Sequence, residues 1–203
     1  MPENRDIDVY KLDCAMIGVK PLIIDLERDG ESIMKDAQTS STIIGNNREA
    51  FLESERIALE MRGKGYEVIR QKVETVPWHP AAPCQEHHKV LMPKNCYFEA
   101  HFSCVITKGQ KDLLANIAAA NNSHISRNFF KKLGDGKFVN MITTREYEGT
   151  YEKFLVHLEK LKTSLKDNNV LFEKEIVEFS IYDTKVSQDA SWLTGEKKGV
   201  KIA

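Results

Sequence analysis

The sequence predicts an α+β protein, and two patterns in its second half predict it most directly. Residues 97–106 alternate without a break. Phe98, Ala100, Phe102, Cys104 and Ile106 take one face; Tyr97, Glu99, His101 and Ser103 take the other. That period of two is a strand with one side buried. Further on, Tyr151, Phe154, Leu155, Leu158, Leu161 and Leu165 recur at helical spacing, the stripe of an amphipathic helix.

The remaining elements of this half follow in order. Leu113, Leu114, Ile117 and Ala118 predict a helix over 109–120. Residues 124–130 read as a shorter strand. Gly134-Asp135-Gly136 reads as a turn, because glycine accepts positive φ, and 137–146 returns as a strand. Thr150 is a natural N-cap for the helix that follows. Asp167-Asn168-Asn169 stops that helix, and a last strand spans 170–182. The order β-α-β-β-α-β, with two right-handed crossovers, closes into a four-stranded antiparallel sheet with both helices on one face. This is the ferredoxin-like arrangement, expected over 96–183.

Residues 1–76 predict a related, less complete α+β lobe. Asn46 and Glu49 offer a capping box for a helix over 47–64 that turns Phe51, Leu52, Ala58 and Leu59 toward a core. A strand over 66–76 follows. Glu49, Phe51 and Leu52 match Glu152, Phe154 and Leu155, and Arg70–Glu74 aligns with Lys174–Glu178, which points to an ancient duplication. The runs Cys14–Val19 and Pro21–Leu26 read as strands, and 31–45 as a short helix followed by a strand through Ile43 and Ile44. Between the lobes, Pro77, Pro80, Pro83 and Pro93 fall within a segment that also holds His79, His87 and His88. Proline removes a backbone donor and disfavours helix before it, so 77–95 reads as an extended connection. The tail, 184–203, carries Trp192 and Leu193 as side chains that would fold back onto the body.

Composition narrows the function. The chain of 203 residues is 41% hydrophobic and 29% charged, which is globular and not disordered. Its 29 basic and 30 acidic residues nearly cancel, so a dedicated nucleic-acid binder is not expected. Met1 to Asp6 is polar, and no stretch approaches the roughly 18 apolar residues of a membrane span. Cys14, Cys84, Cys96 and Cys104 follow no disulfide pattern. A cytoplasmic protein without membrane attachment is the expectation.

Chemistry concentrates on the strand face away from the helices. Alternation assigns it Tyr97, Glu99, His101 and Ser103, then Lys174, Glu178, Ser180 and Tyr182, with Arg145 on a neighbouring strand and Arg70, Lys72 and Glu74 from the first lobe. If the lobes pack sheet to sheet, these rows line a polar cleft. Arg70, Lys72, Arg145 and Lys174 would hold an anion, with Glu74, Ser103 and Tyr182 completing the ligand-binding set. Glu99, His101 and Glu178 would move protons. The expected function is binding of a small anionic ligand, with phosphorylated compounds among the candidates. The alternative is a non-catalytic assembly module that uses the same face to form a homo-oligomer.

Two further groups stand out. His101-Phe102-Ser103 and His124-Ile125-Ser126 are both His-x-Ser, and the pair resembles the motif of the two-histidine phosphoesterases. That resemblance implies a phosphoesterase-type hydrolase in which the two histidines act as acid and base. This sequence departs from that pattern, since both copies lie in the second lobe and not one in each. His79, Cys84, His87 and His88 offer four donors within ten residues, a set whose chemistry suits a divalent metal such as zinc, though its spacing matches no zinc finger.

Overall fold

The alternating segment becomes the centre of the sheet. The computed structural model describes residues 6–28, 31–91, 95–132 and 136–186. In chain order these form α1 (Ile7–Met16), β1 (Lys20–Arg28), β2 (Glu31–Ser40), α2 (Asn47–Gly63), β3 (Lys72–Thr75), β4 (Tyr97–Thr107), α3 (Lys111–Ala120), β5 (Ser123–Lys132), β6 (Lys137–Glu146), α4 (Tyr151–Asp167) and β7 (Phe172–Asp183). The strands order as β2-β1-β5-β6-β4-β7-β3, and every pair is antiparallel. Among the described residues, β1 meets β5 over three pairs, Ile24–Asn128, Asp25–Arg127 and Leu26–Ser126. The sheet is therefore a five-stranded section with a two-stranded hairpin appended. This is a mixed α+β architecture with antiparallel pairing.

The apolar face of β4 makes the main core. Phe98, Ala100, Phe102, Cys104 and Ile106 pack with Leu114, Ile117 and Ala118 of α3 and with Phe154, Leu158, Leu161 and Leu165 of α4. The Phe98 ring lies 4.9 Å from that of Phe179 and 5.8 Å from that of Phe154. Burial of each such side chain contributes about 1.5–3 kcal/mol. Thr150 caps α4 as expected, its Oγ1 accepting from the Lys153 amide at 3.3 Å. A second core joins Tyr10, Cys14 and Ile17 to Val19, Ile23, Met61 and Tyr66. Tyr66 fixes it by donating to Asp13 Oδ2 at 2.8 Å.

The first half departs from expectation in several places. Residues 7–16 form a helix, which takes the start of the run Cys14–Val19 expected as a strand. Tyr10, Cys14 and Ile17 lie one helical turn apart and share a buried face, while Asp6 caps the start by accepting from the Asp8 amide. The apolar run Cys14–Val19 merely straddles the helix end, where Gly18 turns the chain at φ 75°. Residues 31–40 are a strand throughout, paired with β1, and Ile43 and Ile44 are exposed beyond it. α2 carries the expected capping box at Asn46 and Glu49. It buries Ala58 and Met61, however, and leaves Leu52 and Leu59 in solvent. The strand expected over 66–76 shortens to four residues, 72–75.

The proline-rich segment is packed. Pro77, Ala82 and Pro83 are buried, and Pro83 accepts a hydrogen bond from the Tyr151 amide at 2.9 Å. Within it, 86–91 forms a short 3₁₀ turn. The expected turn at 134–136 falls mostly outside the described residues, as do Trp192 and Leu193.

β3 does not face the second-half sheet across a cleft; it joins that sheet edge-on by pairing with β7. α2 links the sheet's two ends. Phe51 near its N-terminus stacks edge-on against Tyr182 of β7 at 5.1 Å, while Met61 near its C-terminus sits in the α1–β1 core. Seventeen residues of helix span about 25 Å. α3 and α4 pack on one side of the sheet; the other side carries the buried Glu99, Ser103, Thr143 and Ser180 and is the inward, polar face.

Candidate functional site

The inward face assembles most of the expected residues on four adjacent strands, β6, β4, β7 and β3. Register sets Glu99 opposite Arg145 on β6 and Glu178 on β7. His101 lies opposite Thr143 on β6. Glu74 of β3 lies opposite Ser180. This face is far from solvated: Tyr97, Glu99, Ser103, Thr143, Ser180 and Asp183 are all buried, and Glu99 is 2% exposed.

Glu99 is the hub. Its Oε1 accepts from Lys72 Nζ and sits against His101 Nε2, each at 2.8 Å, and its Oε2 pairs with Arg145 Nε. Burial opposes its charge, but Lys72, Arg145 and the His101 bond outweigh that and hold the carboxyl well below the usual carboxylate range. Lys72 also pairs with Glu74 and sits over the Tyr97 ring, 5.3 Å from its centroid. Burial works against the Lys72 charge too, and Glu99 and Glu74 reverse the effect, raising its pKa.

His101 is held from both sides. Its Nδ1 lies 2.9 Å from Thr143 Oγ1, and its Nε2 faces Glu99 and, at 3.8 Å, Glu178 Oε2. Burial favours the neutral ring, but the bond to Glu99 and its charge win and raise the pKa. Glu178 is also raised, first by burial and then by the nearby Glu74 charge. Two carboxylates on one face are thus driven apart, Glu99 toward permanent ionisation and Glu178 toward holding a proton. Among this set, Lys72 and Arg145 face Glu74, Glu99 and Glu178, two fixed cations against three carboxylates.

A second charged group adjoins the first through Tyr97. Arg70 grips Asp183 with two parallel bonds, Nε to Oδ1 at 2.9 Å and Nη2 to Oδ2 at 2.5 Å. The Tyr97 hydroxyl donates to the same carboxylate at 2.7 Å.

Some expected residues lie elsewhere. Tyr182 is on the opposite face, against Phe51 and Val73. A bulge in the β3–β7 ladder between Val73 and Glu74 shifts the alternation by one residue and gives Asp183 the inward position assigned to Tyr182. Ser103 and Lys174 stand opposite each other in register, Ser103 buried and Lys174 exposed at the far end of the face. The set at 79–88 does not converge. His79 uses Nε2 toward Asn47 and Nδ1 toward the Ala81 amide, both at 3.1 Å, and His87 and His88 contact each other. Among the described residues, the group of three ligand side chains that does converge is Glu74, His101 and Glu178.

Thr143 and His124 share the inward face and were legible by strand alternation, two residues before Arg145 and two before Ser126. Burial, reinforced by the Arg145 charge, pushes His124 down to about 3. No model of a protein family matches this chain, nor does any curated protein or solved structure at a significant level.

Proposed function

We propose that this chain binds a small anionic, phosphorylated ligand on its inward polar face, with His101 and Glu178 supplying proton donors and Lys72 and Arg145 supplying fixed positive charge. The observation that carries this reading is the opposed tuning of neighbouring groups around His101. Glu99 is buried and ionised, whereas His101 and Glu178 keep 20% and 31% of their side chains open to solvent with both pKa values raised. Perturbed titratable groups gathered at the rim of a buried polar cluster are characteristic of binding and catalytic sites. An assembly interface needs exposed surface, and the burial of Tyr97, Glu99 and Ser103 leaves this face little to offer a second copy.

A phosphoester hydrolase is favoured by one further observation. His101 and His124 both lie opposite Thr143, one on each neighbouring strand, and their pKa values move in opposite directions. One ring is biased toward carrying a proton and the other toward lacking one, the division that acid–base chemistry uses.

The fold reading goes with the function. The strand order β5-β6-β4-β7, with α3 and α4 on one face, supports a ferredoxin-like second lobe. The preceding sequence α1-β1-β2-α2-β3 repeats the order α3-β5-β6-α4-β7, which supports a related first lobe lacking the opening strand.

Thermal unfolding across inorganic phosphate, nucleotides, sugar phosphates and cyclic phosphates tests the function. A ligand at about 100 times its Kd stabilises by roughly 2.7 kcal/mol, or about 5–11 °C for a chain of this size. That shift should vanish in His101→Ala with circular dichroism unchanged. No shift with any phosphorylated compound would refute the reading.

A further inference from the structure

We infer that Glu74, His101 and Glu178 form a binding site for one first-row divalent cation, Mn²⁺ or Zn²⁺, on the inward face. The inference rests on the function proposed above and changes one part of it: with an ion bound, His101 and Glu178 serve as deprotonated ligands and not as proton donors, and the ion supplies positive charge for a phosphate.

Geometry comes first. One ligand atom from each of the three side chains lies within 4.8 Å of the others. Donors around a cation bound at about 2.1 Å sit roughly 3 Å apart, so modest side-chain rotations close the set. The three residues come from β3, β4 and β7, adjacent strands of one sheet, and sites on strands are held more firmly than sites on loops. All three side chains reach solvent, so an ion can enter. Glu99, the other carboxylate nearby, is buried and already paired with Lys72 and Arg145.

The surroundings fit as well. Thr143 Oγ1, 2.9 Å from His101 Nδ1, can accept that nitrogen's proton and leave the Nε2 lone pair for the metal, the usual outer contact of a ligating histidine. Nε2 would then turn from Glu99 toward Glu178. Glu74 and Glu178 bring two carboxylates within 4.8 Å of each other, and a divalent ion held by both relieves their repulsion. Ser180 Oγ adds an independent sign. It is fully buried without a hydrogen-bond partner, on the same strand face at the Glu74 register position. One imidazole and two carboxylates suit Mn²⁺ or Zn²⁺ better than Mg²⁺ or Ca²⁺, which prefer all-oxygen shells.

The test is titration calorimetry of the full chain, freed of metal by chelator dialysis, with MnCl₂ or ZnCl₂ alone and with MgCl₂ and CaCl₂ as comparisons. One ion should bind per chain. Each of Glu74→Gln, Glu178→Gln and His101→Ala should weaken it at least 10-fold, and His79→Ala with His88→Ala should not. Glu178→Gln removes a carboxylate from a crowded pair, so it keeps the fold and makes the loss interpretable. No binding below about 1 mM, or affinity unchanged in Glu178→Gln, would overturn the site. The phosphate screen run with and without Mn²⁺ separates the two readings. Metal binding without any phosphate-dependent shift retains the site and refutes the anionic ligand. A phosphate shift in a chain that takes up neither metal retains the ligand and refutes the site.

Discussion

Replacing Glu99 by Gln would remove one negative charge from the centre of the polar face and almost no volume. The side chain is 3% exposed and touches Lys72, Arg145 and His101. Gln keeps the shape, so no cavity cost enters. What remains is Lys72 and Arg145 facing each other with less compensation. Removing one partner of a buried ion pair costs about 3–5 kcal/mol, against roughly 5–15 kcal/mol for a whole domain. For a chain of this length each kcal/mol lowers the midpoint by about 2–4 °C, so Glu99→Gln should melt roughly 6–20 °C below the parent. Adding Lys72→Met should restore part of the loss, with a coupling of about 0.5–3 kcal/mol in a double-mutant cycle. The pH dependence has a definite sign. Glu99 has a depressed folded pKa, so its contribution is present above the free-carboxyl value near 4.3 and is lost as pH falls through the folded value. Urea unfolding at pH 7 gives both numbers. A loss below about 1 kcal/mol, the value of an exposed ion pair, or strict additivity with Lys72→Met, would refute the hub.

Two further outcomes are expected. Proton NMR should find His101 titrating above the usual 6.5 and His124 remaining neutral well below it, so that His101 contributes stability below pH 6.5 that is lost on raising the pH through its folded value, while His124 contributes stability above pH 6.5 that is lost on acidification toward about 3; two midpoints near 6.5 would contradict the burial and pairing of both rings. Thr150→Ala should lower stability by about 1 kcal/mol in urea, because the Lys153 amide loses the hydroxyl that caps α4, and no loss would mean that water serves the amide equally well.

Local pattern made the second half legible. Strict alternation identified β4, and the leucine stripe with its threonine cap identified α4, because both elements bury one clean face against the other. The first half hid its structure for physical reasons. Tyr10, Cys14 and Ile17 are spaced for a helix, yet Cys14–Val19 also reads as a short apolar run, and such runs do not distinguish helix from strand. Leu52 and Leu59 look like core residues, but α2 meets the body along Ala58 and Met61. The polar face was readable one strand at a time, Glu99 with His101 and Lys72 with Glu74. Their meeting was not, because it depends on β3 pairing with β7 more than a hundred residues away in the chain. Asp183 was missed for a smaller reason: one bulge exchanged its face with that of Tyr182.

The pairing of β1 with β5 and of β3 with β7 has a consequence for synthesis. A chain emerging from its N-terminus has made the β1–β2 hairpin, α2 and β3 well before either docking edge exists. β5 must be made before β1 has its partner edge, and β7 before β3 and the Arg70–Asp183 clasp have theirs. The second core draws only on residues of that first-made stretch, so the edge pairings alone must wait, and pairings of such long sequence separation make folding slow. During that interval two unpaired strand edges stand open to other chains.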